Sequence, residues 1–260
     1  MVAVDWSGDA RHARGHIWLA EADRPGNLVR LECGRDRADL GRYLSRRTDV
    51  VAIGLDFAFA FPAWFTTTLG IRAAPELWTH ASQYGEAWLS ACRAPFWGRP
   101  GQRRPMLAGA ALRRAEELAP RTSGIAPKSI FQIGGAGAVG TGSIRGMPLL
   151  RDLHARGMTI WPFTVGVLPM VVEIYPRLLT GGVRKSDPRA RAALLERRYP
   201  HLEPGWARQA AASEDAFDAA VSALVMVEHV ADLASLPAEV DPVLRLEGRI
   251  WHPAWRDDAL

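Results

Sequence analysis

Apolar positions in this chain fall into two unbroken runs early on and into spacings of three and four residues over most of the remainder. The first run, Val2-Ala3-Val4, leads straight into Asp5 and then Trp6-Ser7-Gly8. The second, Val50-Val51-Ala52-Ile53-Gly54-Leu55, closes on Asp56. Neither alternates polar with apolar, which is the pattern of strands covered on both faces. Each therefore predicts a buried strand that presents a carboxylate at its C-terminal tip. Residues 15–21 and 27–33 flank the turn signal Asp23-Arg24-Pro25-Gly26 and read as a hairpin. Residues 36–47 carry Leu40, Tyr43 and Leu44 at helical spacing and supply the crossover back to the second apolar run.

Beyond Asp56, Phe57-Ala58-Phe59-Ala60-Phe61-Pro62 leaves the sheet. Helices are predicted over 75–92, over 106–118 with Pro120 ending it, and over 147–156. Strands at 158–163 and 171–175 follow, the second carrying Glu173. A carboxylate inside an apolar strand must sit at the sheet's rim or meet a cation, because burying it unpaired costs several kcal/mol. An ion pair with one of the many arginines and a metal ligand are both open for Glu173. Residues 187–198 and 203–212 read as surface helices with solvated arginine faces. Ser213 is a natural N-cap for a last long helix over 213–225, whose apolar face is Ala216, Phe217, Ala220, Leu224 and Val227. Asp215 and Asp218 share one face of its first turn, where acids also gain from the helix dipole. Small neighbours, Ala219 and Ser222, let this helix lie close to the sheet and aim Asp218 at the strand tips. Residues 249–252 suggest an edge strand. The order predicts one α/β domain over residues 1–260, with a mostly helical insertion at about 62–157.

With 48% apolar and 23% charged residues the composition is that of a globular protein. A strand starting at residue 1 or 2 leaves no room for a secretory leader, and the longest uncharged apolar run, 158–172, is too short and too rich in Pro and Gly to span a bilayer. The expectation is a soluble, cytoplasmic protein without membrane contact. Cys33 and Cys92 stand far apart and read as two inert thiols. Net charge is +4, and of 32 basic residues all but Lys128 and Lys185 are arginine. The stretch 93–105, dense in Arg, Gly, Pro and aromatics, suits a clamp on a phosphodiester backbone, or a solvated loop around one buried Trp. Gly135, Gly137 and Gly140 fit G-x-G-x-x-G, but no acid stands near residue 160 to hold a ribose, so a substrate-side loop or a tight turn into the next helix is preferred to a dinucleotide cradle.

A strand-borne Asp, a hairpin, a crossover helix, a second strand-borne Asp and a late helix opening on Asp215-Ala216-Phe217-Asp218-Ala219 resemble the layout of the ribonuclease H-like superfamily. That last motif is similar to the final helix of its Holliday-junction resolvases. Val4-Asp5-Trp6-Ser7, Ile53-Gly54-Leu55-Asp56, Glu173-Ile174-Tyr175-Pro176 and residues 215–223 together resemble the domain-of-unknown-function 429 family, a predicted nuclease branch of that fold. The resemblance implies a mixed five-stranded sheet of order 3-2-1-4-5 with helices on both faces. It implies an acidic cluster of Asp5, Asp56 and Asp218, with Asp215 and Glu173 at outer positions. Many nucleases of the superfamily carry Glu where Asp56 stands. Carboxylates so crowded call for a divalent cation, and oxygen-only ligands select Mg²⁺ or Mn²⁺. The expected activity is two-metal phosphodiester hydrolysis of a nucleic acid or nucleotide-containing substrate, with Asp5 bridging the ions. Basic stretches at 93–104 and 121–128 would hold the phosphates, and Ser7, Arg99, Arg103, Arg104 and Lys128 are the candidate substrate contacts. Two other readings share these residues. One is an actin- or sugar-kinase-like phosphotransferase or ATPase, which uses a first-strand Asp beside a Ser-Gly turn but usually needs two half-domains. The other is a non-catalytic binding module.

Overall fold

The computed structural model describes residues 1–118 and 125–253. Among them, seven strands form one mixed sheet: β1 (Val2–Asp5), β2 (Trp18–Ala22), β3 (Leu28–Cys33), β4 (Ala52–Leu55), β5 (Thr159–Ile160), β6 (Met170–Ile174) and β7 (Ile250–Trp251). The order is β3-β2-β1-β4-β6-β5, with β7 also on β6. β1 pairs with β2, and β2 with β3, antiparallel; β1–β4, β4–β6, β6–β5 and β6–β7 are parallel. β5 lies beside Met170 and Val171 and β7 beside Glu173 and Ile174, so the two short strands sit end to end along one edge of β6. The run β3-β2-β1-β4 follows the expected order. The fifth place belongs to the sixth strand in sequence, because residues 158–163 contribute only the two-residue β5. There Pro162 has no N–H to give a ladder, and the amides of Phe163 and Thr164 turn back onto the Ile160 carbonyl at 2.9 Å.

Six longer helices cover the sheet: α1 (Arg37–Leu44), α2 (Ala74–Ala91), α3 (Gly140–Ala155), α4 (Pro188–Arg198), α5 (Pro204–Ala212) and α6 (Glu214–Glu228). Successive strand residues point to opposite faces, so Val2 and Val4 enter one core and Ala3 the other. The first core joins Ile53, Leu55 and the buried run 57–61 to α1, α2 and α3; the second joins Ala52, Val172 and Ile174 to α4 and α6. Double coverage explains why β1 and β4 carry no polar alternation. No described helix is long and apolar enough to cross a membrane. Both cysteines are free, Cys33 exposed and Cys92 buried.

Three expectations change. The helix over 106–118 is instead a 3₁₀ turn at Gly109–Leu112 and one helical turn at Ala115–Leu118, broken by extended Arg113 so that Arg114 faces inward; Pro120 and Arg121 lie outside the described residues. The helix over 147–156 begins at Gly140 and takes in the end of the glycine run. In α4, Arg191 is not solvated but buried, its Nε donating to the Ala211 carbonyl at 2.9 Å.

α6 lies flat on the sheet because β4 offers it a glycine. A Cβ on Gly54 would stand 2.8 Å from Met226 Sδ and 3.0 Å from Ile174. Gly54→Val is therefore expected to destabilise the fold by about 1–3 kcal/mol through overpacking, read as a lower urea midpoint; an unchanged midpoint would show that α6 has room to retreat.

Candidate functional site

The parallel register Val4↔Leu55 sets the next residue of each strand, Asp5 and Asp56, at neighbouring tips of the sheet. The Asp56 amide donates to the Val4 carbonyl at 3.0 Å, which fixes the second chain end against the first. The two carboxyl groups are close electrostatic neighbours, the Asp56 charge raising the Asp5 carboxyl. α6 brings the third acid. Ser213 caps it, its hydroxyl accepting from the Ala216 amide at 3.0 Å, and Ala219, Ala220 and Ser222 are all buried against the sheet. Asp218 is thereby 93% buried beside the strand tips, since only 7% of it remains exposed. Its Oδ2 accepts from the Lys185 ammonium, and its Oδ1 is buried with no hydrogen-bond partner among the described residues.

Electrostatics reflect this crowding. Burial pushes the Asp5 carboxyl well above the usual range, and the nearby Asp56, Asp218 and Asp215 charges push it further, against the pull of Lys185. Asp56 is raised by burial first and then by Asp218, again opposed by Lys185. Asp218 is also raised by burial, although its direct contact with Lys185 works the other way. Three acids from distant parts of the chain thus share one poorly solvated volume with one ammonium.

Glu173 sits beside Leu55 in the β4–β6 ladder but belongs to a different network. The Arg114 guanidinium forks onto both of its oxygens, with Nη1 to Oε2 at 2.8 Å, and the Phe59 amide donates to Oε2 at 2.9 Å. Arg114 also donates from Nε to Glu117 at 2.9 Å and to the Glu247 carbonyl at 3.0 Å. Glu173 is therefore the ion-paired carboxylate that was one of its two sequence readings. Arg114 was not singled out from the sequence, and nothing distinguishes it there from the other arginines. Asp215 stays half-exposed at the start of α6, its Oδ2 3.7 Å from His16 Nδ1.

Of the three acids, Asp56 lines a cleft of about 800 Å³ whose walls also include Trp6, Arg99, Lys128, Gly135 and Arg145. Arg99 and Lys128, both exposed, are the two expected substrate contacts that reach it. Arg103 and Arg104 do not line it; the Arg104 guanidinium lies over the Trp97 ring, 5.8 Å from its centroid. Ser7 is engaged in the turn after β1, its hydroxyl accepting from the Asp9 amide at 3.2 Å. The glycine run forms part of the wall between the basic loop and α3. A Cβ at Gly98, where φ is +102°, would stand 2.2 Å from the Gly134 carbonyl, so the two loops touch backbone to backbone.

Among the described residues no group of three or more His, Cys, Asp or Glu side chains is arranged to hold a metal ion. Lys185 takes one oxygen of Asp218, and Arg114 takes Glu173. Comparison of the chain with models of known protein families, with curated proteins and with solved structures finds no match.

Two measurements follow from this geometry. Acids raised in the fold bind more protons there than in the unfolded chain, so their contribution falls as pH climbs from the ordinary carboxylate range through their raised pKa values. Asp5→Asn removes one such group; its melting temperature is expected to fall less steeply than wild type between about pH 5 and pH 8 and to exceed it at the upper end by about 2–4 °C, the equivalent of about 1 kcal/mol in a chain of this size. Superimposable profiles would mean that Asp5 feels no crowding. Glu173→Gln leaves Arg114 short of a charge partner and is expected to cost about 3–5 kcal/mol in urea unfolding without any metal added; a loss confined to metal-containing buffer would instead make Glu173 a ligand.

Proposed function

We propose that this chain is a divalent-metal-dependent phosphodiester hydrolase acting on a nucleic acid or nucleotide-containing substrate, built on a ribonuclease H-like arrangement of the sheet. The resemblance to the domain-of-unknown-function 429 family belongs to the same reading. The observation that carries it is the convergence of Asp5, Asp56 and Asp218 beside a cleft that also presents Arg99 and Lys128. The donor set fits a hard cation. It is all oxygen, it carries more acid than its one ammonium can neutralise, and Asp218 Oδ1 is a buried acceptor without a donor. Asp5, Asp56 and Asp218 would hold Mg²⁺ or Mn²⁺. The bound metal supplies Lewis-acid polarisation of the phosphoryl oxygen and a more acidic attacking water. Arg99 and Lys128 fix flanking phosphates, and their charge weakens binding as salt rises. Trp6, with its indole N–H on the Gly142 carbonyl at 2.9 Å, keeps the first acid's strand tip rigid against α3.

The placement of Asp5 and Asp56 at adjoining strand tips, where the Asp56 charge raises Asp5, favours one second reading, a metal-free hydrolase in which the two carboxyls share a proton. One experiment separates them. Calorimetric titration with Mn²⁺ is expected to show binding to the wild type that Asp56→Asn weakens at least tenfold, and Mn²⁺-dependent cleavage of a labelled oligonucleotide panel is expected to drop at least a hundredfold in Asp5→Asn, the scale of losing about 2.7 kcal/mol at the transition state. Cleavage that persists in EDTA selects the metal-free dyad. Equal Mn²⁺ binding by wild type and Asp56→Asn removes the metal reading.

A further inference from the structure

The acid cluster already contains a cation of its own. Lys185 lies between the short helix Pro176–Thr180 and α4, follows Gly181 and Gly182, and has a side chain only 18% exposed. Its backbone is anchored, because the buried Arg191 guanidinium donates to the Lys185 carbonyl and to that of Ala211. The charged end is held differently. The ammonium touches Asp218 Oδ2 alone among the hydrogen bonds it makes in the described residues, while its field also reaches Asp5 and Asp56.

The choice of residue matters. Of 32 basic residues only two are lysine, and one of them stands here. At Glu173, where the structure needs a permanent clamp, it uses Arg114 with both ends of the fork engaged. A guanidinium binds as a planar fork, whereas an ammonium is a compact point charge on a flexible four-carbon stem that can leave one carboxylate oxygen without dismantling a bidentate contact. Asp218 Oδ1 is bare, so the acid is only half satisfied by the lysine.

We infer that Lys185 is the resident cation of this site: it neutralises Asp218 in the metal-free protein and is displaced when a divalent ion enters. The inference rests on the metal-dependent reading above and adds a competition between two cations for one carboxylate. It accounts for a cluster of acids that is not arranged as a metal group while the lysine is in place.

The test uses the full chain. Lys185→Met keeps most of the stem and removes the charge. It is expected to lower the melting temperature of the metal-free protein and to bind Mn²⁺ about tenfold or more tightly than wild type in calorimetry, as removal of one competing charge a few ångströms away requires. Wild-type binding of Mn²⁺ with equal or weaker binding by the variant overturns the inference and leaves the metal reading standing; absence of binding in both ends both. A second measurement needs no variant. With Lys128 as internal reference, acetylation of Lys185 read by mass spectrometry is expected to quicken severalfold when Mn²⁺ is added, and an unchanged Lys185 rate at saturating Mn²⁺ overturns displacement.

Discussion

Like charges brought out of water repel, and this fold forces that situation at the tips of β1 and β4. A parallel pair in register has no way to end on two aspartates without setting them side by side, and α6 adds a third from the opposite layer. The consequence falls on their acidity: burial first, and then the neighbouring carboxylates, push Asp5, Asp56 and Asp218 up from the usual carboxylate range. A purely structural sheet would place aliphatic residues at those positions. Retaining three acids there costs stability, and the cleft beside them gives a reason for retaining them.

Two solutions to a buried carboxylate stand near each other, one on β6 and one on α6. Glu173 has its oxygens filled by a guanidinium fork and a backbone amide, with Glu117 and the Glu247 carbonyl completing the shell of Arg114. Such a unit is saturated and has nothing left to offer a ligand. Asp218, by contrast, has one oxygen on a lysine and the other on no partner among the described residues. The difference between a finished network and an unfinished one sets Asp218 apart from Glu173.

Much of this was readable in the sequence. Unbroken apolar runs ending in acids marked both central strands and the shared sheet edge of their acids, because double coverage by helices erases polar alternation. Ser213 with the small residues of α6 gave the third acid. The contacts of Glu173 and Asp218 were not readable, since Arg114 and Lys185 lie 59 and 33 residues from their partners and carry no local signature. The insertion also misled: residues 106–118 have helical spacing, yet the demand for Arg114 at Glu173 breaks the helix at Arg113. Likewise the end of the glycine run, read as loop, starts α3, because Gly140 fits where a Cβ would stand 1.9 Å from the Ile130 carbonyl.

The three acids also set a timetable. Asp5 and Asp56 leave the ribosome early, but Asp218 follows only after the whole insertion and both outer helices of the second layer have been made. Contacts of such long sequence separation form late and slowly. A nascent chain therefore holds an incomplete set of acids during most of its synthesis, and chemistry that needs all three has to wait for the finished polypeptide.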